Sequence, residues 1–376
     1  MSRLELEHLA WSKTTPGRLG FDLADSAVAT PDLAALGLPH VASWSARPTD
    51  SLQRLEGALG ERLAAPAGRV LVTAGASEAN AAVCAALISP GDGVLAERPG
   101  YEPHRAAPWL FGARLSTFTR SRDHGFGAVA EAVERELAPG TRLVVLTHLH
   151  NPSSVALADD DAGRLERLAE RHNFWILCDE TFRDADAGLP GGTLAARGPR
   201  WVATSSLTKS YGLGGLRIGW IAAHEDVLAR CADAQNALSV LPAAPSTLLA
   251  LDLVPHLDAL RTRAHRILET NHARWAEFAA RIADEPWGAG GLDIGVAPRG
   301  TTAWSLFRDS SAGDAFASFA AERFDLAIPP GRFFGDSRGV RIGLGGEPEA
   351  FVRALQPLER ALEAFWSQGA HVRKTP

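Results

Sequence analysis

Cysteine and tyrosine are both scarce in this sequence of 376 residues. The 3 cysteines, Cys84, Cys178 and Cys231, are far apart in the chain and odd in number. This spacing argues against a disulfide framework and a CxxC metal site, and it predicts reduced thiols in a cytoplasmic protein. The 2 tyrosines are Tyr101 and Tyr211, and each falls inside a motif that bears on function.

Long apolar runs and a strong charge bias are also absent. No apolar run reaches membrane-spanning length, and the first residues carry interspersed acids where a signal peptide would need an apolar core. The net charge of −6 gives no electrostatic basis for binding nucleic acid or an anionic membrane. We therefore expect neither nucleic acid nor membrane as a partner.

Short apolar strands alternate with helical patterns between residues 69 and 223. The predicted strands cover residues 69–73, 93–97, 114–118, 141–147, 174–178, 201–204 and 216–223. This alternation predicts an α/β fold whose large domain has a mostly parallel, seven-stranded sheet sandwiched by helices. In such sheets, ligands bind beyond the carboxyl ends of the strands.

The rest of the chain predicts a second, smaller α/β domain. Helical patterning over residues 225–283, interrupted near Pro242 and Pro245, is interpreted as a long helix bridging the two domains. The expected division is an N-terminal segment packing with the small domain (1–45), a large domain with the bridging helix (46–283) and a small C-terminal domain (284–376).

The glycine-rich stretch from Ser205 to Trp220 joins two predicted strands and contains one lysine, Lys209, and one arginine, Arg217. Glycines allow close backbone approach to a ligand, and hydroxyls and a guanidinium suit a phosphate. A buried lysine can lose its proton and become a nucleophile. Pyridoxal phosphate is the obvious cofactor for such a set. This stretch alone is also compatible with a surface loop whose lysine is solvated. A dinucleotide-binding turn is set aside, because it would need a helix after the glycines and a strand follows here.

Two further candidates follow the first strands of the sheet. Gly75 permits close backbone approach, and Ser77 as a helix N-cap would complete a phosphate cradle, although an ordinary cap explains both residues equally well. Tyr101, in Pro99-Gly100-Tyr101, suits stacking on a heterocycle or packing in the core.

Polar residues also follow the two most apolar strands. The side chain of Asn151 offers a ligand one hydrogen-bond donor group and one acceptor. The alternative is that Asn151-Pro152 only forms a turn. Asp179 ends a strand with no polar alternation, where a carboxylate is costly unless it is paired. A protonated pyridine nitrogen explains this position, as does a buried salt bridge. His148 and His150 stand at alternate positions, a spacing that could suggest a metal site. No third ligand is evident, so we expect no metal site.

The order of these motifs resembles the fold-type-I pyridoxal-phosphate enzymes, specifically the class I/II aminotransferases, over about residues 65–345. The most specific parts are Asn151-Pro152, Asp179-Glu180 and Ser206-Leu207-Thr208-Lys209 through Arg217-Ile218-Gly219. The resemblance implies pyridoxal 5'-phosphate bound by the large domain, and a homodimer. The cofactor-binding residues it implies are Gly75, Ala76, Ser77, Tyr101, Asn151, Asp179, Ser206, Thr208, Lys209 and Arg217.

The resemblance also implies a role for each main residue. Lys209 would hold the cofactor covalently and then move the proton at the substrate's α carbon. Asp179 would keep the pyridine nitrogen protonated, Asn151 would bond the ring's phenolic oxygen, and Tyr101 would stack on the ring. Arg341 matches the family's substrate-carboxylate arginine, suited to a bidentate grip, and Asn151 would lie beside the substrate.

The chain departs from the family pattern in several places. Phe182 stands where the family usually has a tyrosine, so the phenolic oxygen loses a donor and the pKa of the cofactor's link to Lys209 should rise. No tyrosine precedes Tyr101 to contact the phosphate from the partner subunit, and Trp44 is a candidate replacement. The remaining departures are Asn151-Pro152-Ser153-Ser154 in place of Asn-Pro-x-Gly, and Asp25-Ser26-Ala27 without a glycine.

These observations predict exchange of an amino group between an α-amino acid and a 2-oxo acid. The alternative, motivated by Phe182, is a lyase, cyclase or oxidative-deaminase reaction with the same cofactor. A cofactor-sensing transcription regulator fits poorly, because the first residues are too few and not basic enough for a DNA-binding domain. Candidate contacts to a polar substrate side chain are Arg183, His104, His148, His150 and Arg332.

Overall fold

The computed structural model describes residues 7–8, 11, 15, 18–29, 49–283, 285, 291–295, 299–309 and 311–372. The strands in these residues are β1 (Phe21–Asp22), β2 (Leu71–Thr73), β3 (Gly93–Arg98), β4 (Arg114–Thr119), β5 (Thr141–Thr147), β6 (Trp175–Asp179), β7 (Trp201–Ser206), β8 (Gly219–Ala222), β9 (Leu292–Asp293), β10 (Thr302–Phe307), β11 (Leu326–Ala327) and β12 (Gly339–Gly343). The α-helices are α1 (Thr49–Leu63), α2 (Ala76–Leu87), α3 (Pro103–Leu110), α4 (Val129–Glu136), α5 (Asp159–His172), α6 (Glu225–Leu238), α7 (Ala244–Leu253), α8 (Leu257–Ala283), α9 (Ala312–Phe324) and α10 (Pro348–Val372).

Seven strands form one sheet in the order β2-β8-β7-β6-β5-β3-β4. The strands from β7 to β4 are parallel to one another, whereas β8 runs antiparallel to both of its neighbours, β2 and β7. The predicted α/β fold with a mostly parallel, seven-stranded sheet is confirmed. Because β5, β6 and β7 run the same way, their carboxyl ends meet at one edge of the sheet.

Helices cover both faces of this sheet. Alternate residues of a strand point to opposite faces, and in β5 Val145 packs in one core cluster with Val83 of α2 and Val227 of α6. Its neighbour Val144 belongs to a second cluster with Leu165 of α5. Burial on both faces explains why the central strands carry apolar residues without polar alternation.

The region predicted as one long helix, residues 225–283, contains three helices. α6 ends at Leu238 and α7 begins at Ala244, with Pro242 in the break between them. Proline has no N–H to donate and disfavours the helical conformation in the residue before it, so the chain leaves the helix here. α8 then continues for 27 residues. Its Leu257 is buried in a cluster with residues of α1 and β8, and its Phe278 in a different cluster with residues of β10 and β12.

A smaller antiparallel sheet, in the order β12-β10-β9, underlies this second cluster together with α9 and α10. β1 pairs in parallel with β11, so that Phe21 lies opposite Leu326. Leu23 and Val28, which follow β1, are buried in the same cluster. Phe21, Leu23 and Val28 therefore pack against the core of the smaller sheet.

Residues 22–29, here named the connecting segment, join the smaller sheet to the lysine-containing loop. The Leu23 carbonyl accepts a hydrogen bond from the Gly343 N–H at 2.7 Å, and the Val28 N–H donates to the Lys209 carbonyl at 2.9 Å. The segment is thus fixed by backbone hydrogen bonds near both ends.

Part of the predicted N-terminal segment, including Trp44, lies outside the described residues. Within the described ranges, no helix combines the length and the apolar character needed to cross a membrane.

Candidate active site

A cavity of about 800 Å³ lies at the edge of the large sheet where the carboxyl ends of β6 and β7 meet. The predicted site residues that line it are Ala76, Ser77, Tyr101, Asn151, Asp179, Ser206, Thr208, Lys209, Arg217 and Arg341. Gly75 directly precedes Ala76. A more open depression of about 890 Å³ elsewhere on the protein is lined by none of them. The structure therefore brings the predicted residues together, and their individual roles stay predictions.

The first turn of α2 forms an anion-binding corner of the cavity. Gly75 has a φ of +92°, and a Cβ on it would lie 2.5 Å from an Arg217 nitrogen, so glycine is needed here. A Cβ on Gly219 would lie 2.5 Å from the carbonyl carbon of Gly75. The N-cap is Gly75 and not the predicted Ser77, because the helix already begins at Ala76. No side chain caps this end, which leaves its first N–H groups available to an anion.

Asp179, at the end of β6, is held by a buried hydrogen-bond network. Its Oδ2 accepts from Asn80 Nδ2 at 3.1 Å and is 3.0 Å from His104 Nε2, and its Oδ1 accepts from the Thr181 N–H at 2.9 Å. Thr204 donates in turn to the Asn80 carboxamide oxygen at 2.6 Å. Burial alone would raise the pKa of Asp179, but the contacts with His104 and Thr181 outweigh it and hold the pKa below its usual value. The carboxylate is therefore ionised at neutral pH.

Sequence reasoning missed Asn80 and placed His104 only among possible substrate contacts. Two signals were present. Asn80 is a lone amide in an alanine-rich helix, four residues after Ala76 and so on the same helix face. His104 follows Tyr101 by three residues. Sequence reasoning also missed His8 and Asp22, which line the cavity, and nothing in their local sequence marks them.

Lys209 reaches the cavity from the loop after β7. Its side chain is 28 % exposed, and its Nζ lies 4.0 Å from Asp25 Oδ1 in the connecting segment. Burial lowers the pKa of Lys209, the positive charges of Arg341 and Arg217 lower it further, and Asp25 opposes them. A larger fraction of the free amine is therefore present than for a solvated lysine.

Arg341 of β12 extends across to the large sheet. It is 2 % exposed, and it donates to Asn151 Oδ1 at 3.1 Å and to the Ala24 carbonyl at 2.9 Å. Its guanidinium carbon lies 5.0 Å from the centre of the Phe334 ring. Its Nε has no hydrogen-bond partner among the described residues. Burial lowers the pKa of Arg341 to about 10, so the side chain remains a cation at neutral pH.

Aromatic rings form another part of the lining. The Tyr101 ring packs edge-on against His104, with ring centres 5.3 Å apart, and burial raises the pKa of its phenol to about 12. Phe182 also lines the cavity and is 8 % exposed, so no hydroxyl is present where the family usually has one. Tyr211 lies outside the cavity lining and donates to Asp184 at 2.6 Å.

Four of the five predicted contacts to a substrate side chain do not line the cavity. Arg183 donates to the Pro190 carbonyl, His148 accepts from the Leu157 N–H, His150 contacts the Pro99 carbonyl and Arg332 pairs with Glu7. Each is already used by local structure, which sequence spacing alone did not show. The fifth, His104, faces Asp179.

The lining fits a phosphorylated pyridine aldehyde. The uncapped α2 terminus and the guanidinium of Arg217, packed closely against Gly75, suit a phosphate. The ionised Asp179 suits a protonated ring nitrogen. The amine of Lys209 lies in the same cavity, where it can form a covalent bond to an aldehyde.

The family model described as aminotransferase class I and II matches residues 46–358. The chain belongs to this family. It is a pyridoxal-phosphate-dependent aminotransferase by family and has the fold-type-I architecture, as the sequence predicted.

Three comparisons place the chain within the family. The arginine–pyruvate transaminase AruH of Pseudomonas aeruginosa is 29 % identical over 313 residues, which are 79 % of this chain and 74 % of that protein. Capreomycidine synthase of Streptomyces vinaceus is 30 % identical over 349 residues, 91 % of this chain and 86 % of that protein. A solved pyridoxal-phosphate-dependent aminotransferase from Streptococcus suis matches the fold with a TM-score of 0.84 at 21 % identity, covering 97 % of this chain and 99 % of that one.

Proposed function

We propose that this site transfers the amino group of an α-amino acid to a 2-oxo acid in two half-reactions. The observation that carries the proposal is the placement of Lys209 in one cavity with Asp179 and two separate arginines. Arg217 lies beside the α2 terminus and Arg341 beside Asn151. One arginine is thus available for a cofactor phosphate and the other for a substrate carboxylate.

The arginines bind and orient the two anionic groups. Arg341 has a free Nε and a planar guanidinium, which suits a bidentate contact with the α-carboxylate of the substrate. Asn151 and Ala24 fix the orientation of that guanidinium. Arg217, Ser77 and the N–H groups at the start of α2 hold the phosphate.

Asp179 and Lys209 act on two different protons, one on the ring nitrogen of the cofactor and one on the α carbon of the substrate. Pyridoxal phosphate, when bound, supplies the electron sink that makes an α proton removable at neutral pH. The Asp179 carboxylate keeps a proton on the ring nitrogen, because an ionised partner stabilises that cation. Lys209 Nζ, whose pKa is lowered by burial, takes the proton from the substrate's α carbon as a general base.

A single-turnover experiment tests this proposal. The cofactor-loaded protein is mixed with a panel of amino acids without any 2-oxo acid, and the cofactor spectrum is followed. We expect conversion to the pyridoxamine form with release of one equivalent of 2-oxo acid. Pyruvate, the acceptor named for the Pseudomonas relative, should then restore the original spectrum. Substrate consumption without any pyridoxamine form would overturn the proposal.

Cyclisation or elimination of the same amino acid is the second candidate. Phe182 favours it, because the missing hydroxyl removes a group that tunes the phenolic oxygen of the cofactor. The similarity to capreomycidine synthase over 91 % of the chain also supports it. In the same experiment, this candidate predicts a new product with the cofactor returned unchanged, and repeated turnover without added oxo acid.

We further propose a cytoplasmic homodimer with the three-part division 1–45, 46–283 and 284–376. Exposed apolar side chains at the end of α6 and just after it, namely Leu238, Val240 and Leu241, support a subunit contact. The cysteines are free and buried, which suits a reducing compartment. Light scattering coupled to size exclusion tests the dimer, and a monomer at micromolar concentration would contradict it.

A further inference from the structure

Two carboxylates of the connecting segment, Asp22 and Asp25, line the cavity but have no part in the proposed amino transfer. Asp22 Oδ1 accepts hydrogen bonds from the N–H groups of Ala24 at 2.7 Å and Asp25 at 3.2 Å, so both acids belong to one turn. Ala24, between them, accepts the hydrogen bond from Arg341. The turn therefore holds both carboxylates close to the predicted carboxylate-binding arginine.

The proposed function provides partners for the positive charges of the cavity but not for these negative charges. Arg217 is matched by the phosphate and Arg341 by the substrate's α-carboxylate. Asp22 forms no ion pair with any described residue. The ion-pair partner of Asp25 among these residues is Lys209, whose Nζ lies 4.0 Å from Asp25 Oδ1. Lys209 uses that same nitrogen to bond the cofactor. In the loaded site the two carboxylates are therefore left with the charge of Arg341 alone, which the substrate's α-carboxylate also uses.

Both side chains are accessible from the cavity. Asp25 retains 65 % of its side-chain exposure, and Asp22 is also exposed. Partial burial nevertheless raises the pKa of Asp22, and the neighbouring charge of Asp25 raises it as well. The hydrogen bonds from the Ala24 and Asp25 N–H groups and the charge of Arg341 offset these effects only in part. A cation placed between the two acids would relieve this repulsion.

Polar side chains of the same lining carry buried atoms without a hydrogen-bond partner in the described part of the chain, an observation independent of the acids. His8 is 5 % exposed and lines the cavity, and its Nδ1 has no partner among the described residues. Burial and then the charges of Arg341 and Lys209 lower the pKa of His8 to about 2. The ring is therefore neutral, so it is not the missing cation, and its nitrogen can hydrogen-bond a ligand. The free Nε of Arg341 is a second such atom.

We propose that the substrate is an α-amino acid with a cationic side chain, an amine or a guanidinium, which Asp22 and Asp25 bind. This inference rests on the proposed function for the placement of the α-carboxylate at Arg341 and the α-nitrogen at Lys209. Asp25 Oδ1 lies 4.0 Å from Lys209 Nζ, and the Ala24 carbonyl accepts from Arg341 at 2.9 Å, so an α carbon held at those two points lies beside this turn. Charge-assisted hydrogen bonds to the two acids then select the cation.

The test compares L-arginine with L-citrulline, which has nearly the same shape but a neutral urea group. L-lysine and L-norleucine form a second pair. Two readouts are used on the cofactor-loaded protein: kcat/KM for consumption of the amino acid, and the shift in melting temperature at fixed ligand concentration. We expect arginine to exceed citrulline at least about tenfold in kcat/KM, since a charged hydrogen bond outweighs a neutral one.

The variants Asp22→Asn and Asp25→Asn remove one charge each with little change of shape. Each should reduce the arginine-to-citrulline ratio about five- to tenfold. The citrulline value should stay within about twofold in Asp22→Asn, whereas for Asp25→Asn only the ratio is compared, because Asp25 also raises the pKa of Lys209. Asp252→Asn is the matched control, because Asp252 is exposed on α7 outside the cavity lining. A wild-type ratio near one, or a high ratio that both variants retain, would overturn the proposal.

The cofactor spectrum of the single-turnover experiment, compared with kcat/KM, separates this inference from the proposed function. If arginine is consumed selectively but the cofactor never reaches the pyridoxamine form, amino transfer fails and the cationic substrate stands. If citrulline and norleucine are transaminated as well as arginine and lysine, amino transfer stands and the cationic substrate fails. Should either variant not fold, the wild-type ratios in kcat/KM and melting temperature still decide the question.

Discussion

The guanidinium of Arg341 donates a hydrogen bond to the carboxamide oxygen of Asn151 across 3.1 Å, although the two residues are 190 positions apart in the chain. One belongs to the smaller sheet and the other follows β5 of the large sheet. The predicted carboxylate-binding group is therefore positioned by both sheets at once.

Arg341→Ala should reduce kcat/KM for the amino acid about 10- to 150-fold, because one or two charged hydrogen bonds to the α-carboxylate are lost. The loss should appear mainly in KM, and cofactor content measured by absorbance should not change. Arg164→Ala, an exposed change on α5, serves as the control. If Arg341→Ala lost cofactor to the same extent as kcat/KM, Arg341 would bind the cofactor and not the substrate carboxylate, and the assignment would be refuted.

Lys209→Ala should abolish the visible absorbance band of the cofactor-loaded protein. Borohydride treatment should then no longer fix the cofactor covalently to the protein. The chain has only 3 lysines, Lys13, Lys209 and Lys374, so the modified peptide can be identified by mass spectrometry without ambiguity. Lys13→Ala is the control and should keep the band. A reducible chromophore that persists in Lys209→Ala would refute the assignment.

His104→Leu should move the pH dependence of cofactor affinity. The contact with His104 helps to hold the pKa of Asp179 below its usual value, so its loss raises that pKa. The carboxylate then becomes protonated at a higher pH, and the apoprotein should lose affinity for the cofactor earlier as the pH falls. The shift is followed by fluorescence titration from pH 8 downward, an experimental range of about three pH units. His172→Leu, on the exposed end of α5, should leave the profile in place.

Glu180→Gln should change how stability depends on pH. Burial raises the pKa of Glu180 to about 7 from its usual value near 4.5, and hydrogen bonds from Thr193 and Leu194 only partly offset it. A raised pKa means that the folded protein binds the proton more tightly than the unfolded chain. The wild type should therefore lose stability relative to the variant as the pH rises from about 4.5 to about 7, by up to about 3 kcal/mol. Chemical denaturation of both proteins across this range measures the difference, and parallel curves would contradict it.

Phe182→Tyr should restore the hydroxyl that the family usually has near the cofactor's phenolic oxygen. An added donor stabilises the deprotonated form, so the pH midpoint of the visible band should move to a lower value. Phe319→Tyr, in α9, is the control for a general effect of an added hydroxyl. An unchanged midpoint would show that residue 182 does not contact that oxygen.

The sequence predicted the fold and much of the site for a simple physical reason. Parallel strands place their carboxyl ends together, so the positions of Asp179 and Lys209 after neighbouring strands implied that the two side chains share one location. The N-cap of α2 was assigned wrongly to Ser77, because a serine near the start of a helical pattern gives the same signal whether the helix starts at Ala76 or two residues later.

The lining contributed by other parts of the chain was not predictable in this way. His8 packs against Phe333 and Phe334, and Asp22 lies in β1 beside β11, so both reach the cavity through long-range contacts. Neither lies in a periodic pattern that sequence reading detects. In the same way, Arg183 and His150 were candidate substrate contacts, since a polar residue near a strand end gives no indication that it already contacts a backbone carbonyl.

The connecting segment has a further consequence for how this scaffold can diversify. Its backbone is bonded at Leu23 to β12 and at Val28 to the lysine loop, so the number of residues between these points is fixed by geometry. An insertion or deletion there would displace either the Arg341 strand or the Lys209 loop. Substitutions at positions 22 and 25 leave both anchors intact. In descendants of this protein, a new substrate preference should therefore arise by exchange of side chains at constant loop length.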